Sequence, residues 1–237
     1  MSAPIPLQQD FWNDWNARHR EFDIPGTSLR QSSVILGWLE RMGRRDLRIL
    51  EVGCGAGWFC PQLAKYGKVS GTDLSDEVLV RAQARHPEVK YVAGDFMKLD
   101  LGRDAFDVVV ALEVLSHVDD QESFIRKVRS HLRPGGVLMM ATQNRFVFEH
   151  FNRVPPPGAG QIRKWLDRRQ LHDLLSAHFD VRQISSVFPM GDRGIMRVVN
   201  SRKLNRPVRA VFGDRFERMK EAVGLGSALM ALAMKPE

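Results

Sequence analysis

Residues 49–57 read Ile49-Leu50-Glu51-Val52-Gly53-Cys54-Gly55-Ala56-Gly57, and this stretch decides the fold. A short apolar run ends in an acid and then breaks into three glycines at alternate positions. Glycine lacks a Cβ, so the backbone can take φ > 0 and a ligand can approach closely. A buried strand entering such a loop, with a helix behind it, is how open α/β sheets build nucleotide crevices at the carboxyl ends of their strands.

The spacing separates the ligands that such a crevice takes. A dinucleotide site reads G-x-G-x-x-G and sets a pyrophosphate at a helix N-terminus. Here the pattern is G-x-G-x-G with Glu51 two residues earlier, a poor place for a diphosphate and a good one for a cation. S-adenosylmethionine carries a sulfonium and an ammonium and no phosphate, so a strand end with a carboxylate suits it better than it suits NAD. Asp73 closes the run Lys-Val-Ser-Gly-Thr-Asp twenty positions past Gly53, where such folds place an acid on the ribose hydroxyls. Asp73-Leu74-Ser75-Asp76 could also cap a helix, but Ser75 or Asp76 can do that and leave Asp73 free. Gly94-Asp95-Phe96 follows another short strand, with Asp95 suited to the adenine amino group and Phe96 to the ring. Three acids at successive strand ends carry more weight than any one of them.

Composition bounds the rest. A chain of 237 residues with 43% hydrophobic content can bury one α/β domain with modest additions. No apolar run approaches the ~20 residues that span a bilayer, and Met-Ser-Ala-Pro-Ile-Pro has neither the basic region nor the apolar core expected of a signal peptide. Two cysteines, Cys54 and Cys60, make no disulfide framework. A cytoplasmic protein is expected. The net charge of +7 has a local excess from Arg193 to Lys220. That excess reads as a solvated helical face, or as a surface for an acidic substrate, an anionic membrane or nucleic acid.

Periodicity places strands near 48–52, 68–73, 89–93, 106–112, 137–142, 180–187 and 228–234, and helices near 57–66, 76–85, 121–132 and 167–177. The expected fold is a Rossmann-like α/β domain, a seven-stranded mostly parallel sheet with helices on both faces. Helices near 8–20 and 32–41 lie outside the alternation, so residues 1–46 form an N-terminal helical lid. Residues 47–142 form the cofactor core and 143–237 the acceptor side. Pro155-Pro156-Pro157-Gly158 excludes a regular element within 144–166. A helical insert from about Pro207 precedes the last strand, with Val211, Phe212, Phe216 and Met219 on one face. The final apolar run reads as a buried edge or antiparallel strand.

Residues 47–142 resemble the core of class I S-adenosylmethionine-dependent methyltransferases. Glu51–Gly57 matches the glycine motif, Asp73 the acid after the second strand, and Gly94-Asp95-Phe96 the adenine motif. Phe106–Val109 through Glu113–Val118 matches the fourth strand and its exit, and Leu132-Arg133-Pro134-Gly135-Gly136 the turn into the fifth. The resemblance implies cofactor contacts from Glu51, Gly53, Cys54, Gly55, Gly57, Asp73, Leu74, Asp95, Phe96 and Leu112. A finer resemblance, to ubiquinone-biosynthesis O-methyltransferases, rests on Ala141–Arg145, Lys164-Trp165-Leu166 and Leu171. That subgroup carries Glu-x-x-Glu-His after the fourth strand; this chain keeps Glu113 and His117 and has Ser116 in place of the second acid.

Methyl transfer from a sulfonium needs a nucleophile held ~3–3.5 Å from the methyl carbon in a water-poor site. A hydroxyl acceptor also benefits from a base. His117 is the candidate base, and caps or packs the following helix if it is not. Glu113 touches the cofactor, orients His117 or starts the loop. Trp12, Arg145 and Trp165 are candidate acceptor contacts. No metal site is expected, because Glu113 and His117 lack a third ligand. The exit of the fourth strand, Ala-Leu-Glu-Val, lacks the Asp/Asn-Pro-Pro-aromatic run of enzymes that methylate base nitrogens. The resemblance and the place of His117 imply a small-molecule acceptor, most simply a hydroxyl; the alternatives are a nitrogen or carbon acceptor, an RNA-associated protein, or cofactor binding without catalysis. Nucleic acid is not expected as a partner.

Overall fold

The computed structural model describes residues 3–21, 23–199 and 214–237. Seven strands form one sheet: β1 (Leu47–Val52), β2 (Gly67–Asp73), β3 (Lys90–Ala93), β4 (Phe106–Leu112), β5 (Leu132–Gln143), β6 (Asp180–Pro189) and β7 (Gly226–Met234). Their order is β3-β2-β1-β4-β5-β7-β6. Only β7 runs against its neighbours, pairing antiparallel with both β5 and β6.

Strands buried on both faces alternate which face each side chain joins. Ile49, Val108, Val110 and Met139 pack beneath helices α2 (Gly26–Met42), α3 (Cys60–Leu63) and α4 (Asp76–Arg85), against Ile35, Leu39, Leu63 and Leu79. Leu50, Val109, Leu138 and Met140 face the other way. They pack on α5 (Gln121–His131) and α7 (Arg168–Ser176), against Phe124, Ile125, Val128, Leu171 and Leu175. Between α5 and α7, α6 (Arg145–Phe151) follows β5 directly. Helix α7 starts on a capping box, with the Asp167 side chain accepting from the Gln170 N–H.

Several expectations need correction. Helix α6 occupies residues expected to be irregular, because the prolines begin only at Pro155 and leave 145–151 free to coil. The helix expected over 57–66 is regular only over α3 and tightens into a 3₁₀ turn at Ala64–Tyr66, so the glycine loop runs on to Phe59. Strand β7 is interior rather than at an edge, and its continuous apolar sequence suits burial on both faces. Residues 200–213, with Val211 and Phe212, lie outside the described residues. Beyond them α9 (Asp214–Ala222) forms as expected, but Met219 is 57% exposed and does not join an inward face. An additional short helix, α8 (Gly194–Val199), follows β6. Among the described residues no helix is long and apolar enough to cross a membrane.

The N-terminal helix α1 (Ile5–His19) has an unusual inward face: its buried residues are polar, Gln8 and Asn16. It is tied to α4 by polar links. Asn16 donates to Ser75 Oγ at 2.7 Å, Asn13 donates to Asp76 at 3.0 Å, and Glu21 beyond its end pairs with Arg81 and Arg85 at 2.9 Å. A helix that buries polar groups roofs a polar space, and that space is the main cavity.

Candidate active site

The strand order reverses between β1 and β4, and crevices in open α/β sheets form where such a reversal meets the carboxyl ends of strands. A cavity of about 370 Å³ opens there, lined from the sheet by Glu51–Ala56, Thr72–Leu74, Gly94–Met97 and Leu112–Val114. That volume is within the usual range for small-molecule sites, about 300–1,000 Å³.

The glycine loop is held in place by backbone bonds and by Asp73. Gly53 and Cys54 N–H both donate to the Thr72 carbonyl, at 2.7 and 3.1 Å. Gly53 has φ 71°, and a Cβ there would meet Val114 Cγ2 at 2.1 Å, so only glycine fits. Gly57 has the same φ, but a Cβ on it would strike the Tyr91 hydroxyl at 2.5 Å. Gly57 does not line the cavity; its place in the expected cofactor set is corrected to packing against β3.

Asp73 is not simply free for a ligand. Its Oδ2 accepts from Gly55 N–H at 2.8 Å and its Oδ1 from Ser75 N–H at 2.9 Å. The carboxylate thus clips the glycine loop to the start of α4, and each oxygen keeps a further lone pair. Ser75 is the N-cap residue, but its side chain makes no cap bond; Asp73 serves that backbone instead. Register brings Asp95 alongside: Asp73 pairs with Ala93, and Gly94 N–H donates to the Asp73 carbonyl at 2.9 Å. Asp95 turns its own loop, accepting from Met97 N–H at 3.0 Å. Phe96 lines the cavity and leans edge-on against Phe124. Leu74 and Leu112 line it as well.

Glu51 is 2% exposed and takes a hydrogen bond from the Cys60 thiol at 3.0 Å. Burial pushes its pKa well above the usual carboxylate range. Cys54 lies beside it, a buried free thiol whose pKa burial raises to about 11, so the sulfur is inert and the backbone faces the cavity.

At the exit of β4, Glu113 sits in the left-handed region with φ 63°. Burial raises its pKa to about 7, opposed by a hydrogen bond from Gln31 and by the Arg20 charge. Arg20 lines the cavity, donates to Ser28 Oγ at 2.5 Å, and has its own pKa lowered by burial. The next turn, a 3₁₀ segment over Leu115–His117, presents His117 to the cavity. His117 Nδ1 lies 2.8 Å from the Ile162 carbonyl oxygen, which can only accept, so Nδ1 carries the proton and Nε2 the lone pair. The Trp12 ring meets the imidazole edge-on at 4.7 Å. Burial lowers the pKa of His117, aided by the Arg163 charge.

Trp12 and Trp165 both line the cavity, and Trp165 stacks on Phe148 at 4.9 Å. Arg145 does not. It pairs with Asp167 at 2.6 Å, bracing α6 against α7, and is corrected from acceptor contact to structural ion pair. Residues that motif reading passed over include Gln31, Gln143, Arg163, Asn16 and Arg20. The last two had a signal: Trp12, Asn16 and Arg20 recur every four residues, the spacing of one helical face.

The donor set fits S-adenosylmethionine. Carboxylates of Glu51, Asp73 and Asp95 stand at three strand ends around a loop where only glycine fits. In the same wall, the buried Gln31 Oε1, Thr72 Oγ1 and Gln143 Oε1 have no hydrogen-bond partner among the described residues. Buried polar atoms are seldom left so, and a polar ligand would satisfy them.

Comparison with known proteins agrees. Residues 50–140 match a family described as a methyltransferase domain. A protein of Mycolicibacterium smegmatis named "Probable S-adenosylmethionine-dependent methyltransferase" is 34% identical over 176 residues, 71% of this chain and 67% of that one. A ubiquinone biosynthesis O-methyltransferase of Bradyrhizobium sp. is 33% identical over 127 residues, 52% of this chain, and the match spans 49% of its length. In fold, the chain is similar to the N-methyltransferase NodS of Bradyrhizobium japonicum, solved with S-adenosyl-l-homocysteine: TM-score 0.66, 16% identity, 98% of this chain and 100% of that one. On the shared sequence and the seven-stranded fold, the chain belongs to the S-adenosylmethionine-dependent methyltransferases.

Proposed function

We propose that this protein methylates a hydroxyl on a small aromatic molecule, with His117 as the base. Glu51, Gly53, Cys54, Gly55, Asp73, Leu74, Asp95, Phe96 and Leu112 would hold S-adenosylmethionine. When bound, that cofactor supplies an electrophilic methyl carbon with a thioether as leaving group.

The observation that carries the reading is the hydrogen bond from His117 Nδ1 to the Ile162 carbonyl, 2.8 Å long, in the cavity wall. It fixes the tautomer that leaves Nε2 able to take a proton. Burial lowers the pKa from its ordinary 6.5, so the ring is neutral and competent at physiological pH. Trp12 meets the imidazole edge-on and, with the stacked Phe148–Trp165 pair, gives the acceptor side an aromatic lining. Burial raises the pKa of Glu113 to about 7, and Gln31 donates to it, so it shapes the site beside His117. Helices α1 and α2 roof the cofactor side, and the segment from Phe148 to Trp165 walls the acceptor side, which supports a division into lid, core and acceptor segment.

His117→Asn tests the role of the ring. An asparagine amide can keep the bond to Ile162 but offers no basic nitrogen. Turnover of a hydroxyl acceptor should fall by ~10²–10⁴-fold, while affinity for S-adenosylhomocysteine stays within about twofold. Full turnover in the variant would move His117 to a packing role and favour a nitrogen acceptor, which needs no base when neutral. The fold-level likeness to an N-methyltransferase keeps that second reading in view.

A further inference from the structure

A second, more open cavity of about 630 Å³ adjoins the first. Phe148, Val154, Arg163 and Trp165 line both, so these four side chains form the wall where the two meet. The second cavity is basic: Arg153, Arg163 and Arg193 line it against one acid, Glu149, which is 3.9 Å from Arg145. Among the described residues none of those three arginines pairs with a carboxylate.

Arg163 is the member placed to reach a ligand in the main cavity. Its Nη1 donates to the Pro155 carbonyl at 2.6 Å and its Nη2 to Gln161 at 3.1 Å. A guanidinium has five N–H donors, so others remain. The group lies over the Trp165 ring, 5.2 Å from its centroid, which fixes its position. Burial without an acid lowers its pKa, and its charge is felt at the His117 ring. In the main cavity Asp73 and Asp95 stand at strand ends, and Arg163 stands in the segment that follows α6, where its charge reaches His117.

We infer that the acceptor carries an anionic group, a carboxylate or a phosphate, a short arm away from its methylated hydroxyl, and that Arg163 receives it with Arg153 and Arg193 behind. The inference rests on the hydroxyl-methylation reading for the acceptor's other end. Unpaired arginines beside an aromatic platform recognise such anions through charge-assisted, often bidentate bonds.

The test reads binding rather than turnover, so it stands apart from the reaction. Protein saturated with S-adenosylhomocysteine is titrated calorimetrically with 3-(4-hydroxyphenyl)propanoate, its primary amide, and phenyl phosphate. At least one anion should bind tenfold or more tightly than the amide, and the tighter of the two names the group. Arg163→Met should erase that preference while leaving amide binding within about twofold. Arg153→Gln with Arg193→Gln, both at exposed positions, should narrow it without disturbing the fold. Equal binding of anions and amide, or no binding of either anion, overturns the inference. So does an Arg163→Met variant that is folded by circular dichroism and keeps the preference. A single-stranded oligonucleotide binding more tightly than phenyl phosphate would also overturn it, in favour of a nucleic-acid surface. Anion preference with no hydroxyl methylated would refute the proposed reaction alone.

Discussion

Asp73 is where fold and cofactor site depend on one side chain, and Asp73→Ala separates the two contributions. The substitution removes the acceptor of Gly55 N–H and Ser75 N–H, at 2.8 and 2.9 Å. Hydrogen bonds to a charged group contribute about 1.5–3 kcal/mol each. Gly55 lines the cavity and can be rehydrated, whereas Ser75 is fully buried, so the unliganded protein should lose about one such bond. At about 2–4 °C per kcal/mol for a chain of this size, the melting temperature should fall by about 3–12 °C. If Asp73 also binds the ribose, affinity for S-adenosylhomocysteine drops by a further ~1.5–3 kcal/mol, roughly 10- to 150-fold. Differential scanning calorimetry gives the first quantity and isothermal titration the second, on the same preparation. A lowered melting temperature with unchanged affinity would refute the ribose role and leave Asp73 as a clip alone. Unchanged stability would show that the two backbone bonds to Asp73 contribute nothing to the folded state.

Gly53→Ala should destabilise the protein by about 1–3 kcal/mol through overpacking, and Val114→Ala should relieve part of that, since the added Cβ meets Val114 Cγ2 at 2.1 Å; strictly additive urea-denaturation energies would contradict the clash. Glu113 has a folded pKa of about 7 against an ordinary 4.5, so the native state holds the extra proton between those values. Its contribution is whole below about pH 4.5 and is lost as pH rises through 7, by up to about 3 kcal/mol; Glu113→Gln should remove that decline, and parallel stability–pH curves for the two proteins would exclude it. Residues 1–30 and 144–166 should gain hydrogen-exchange protection when S-adenosylhomocysteine binds, and unaltered exchange in both would count against a lid.

Much of the fold was legible because the central strands are apolar on both faces. Ile49-Leu50 and Val108-Val109-Val110 allow only a sheet covered twice, and Gly53 and Asp73 mark where it opens. The acceptor side was less legible. Arg145 and Arg163 are both arginines near Trp165, and nothing in the local pattern says which one an acid neutralises; Asp167 takes Arg145 through the packing of α6 on α7. Gly57 shares the motif of Gly53 and Gly55, yet its constraint comes from Tyr91, thirty-four residues on. The Gln31–Glu113 bond joins residues eighty-two apart, and no spacing rule reaches that far. Arg20 differs: it continues the four-residue spacing of Trp12 and Asn16, and the buried residues of α1 are the polar Gln8 and Asn16.

Whether a hydroxyl oxygen receives the methyl group is read from the identity of the methylated atom. Wild-type protein is incubated with S-adenosylmethionine carrying a ¹³C-labelled methyl and with matched phenolic and aniline acceptors, each with and without a carboxylate arm. Carbon NMR of the products then distinguishes O-methyl from N-methyl. An O-methyl signal is expected from the phenolic acceptors, strongest with the carboxylate arm and reduced ~10²–10⁴-fold in His117→Asn. An N-methyl signal alone, or an O-methyl signal undiminished in His117→Asn, would contradict hydroxyl methylation with His117 as the base.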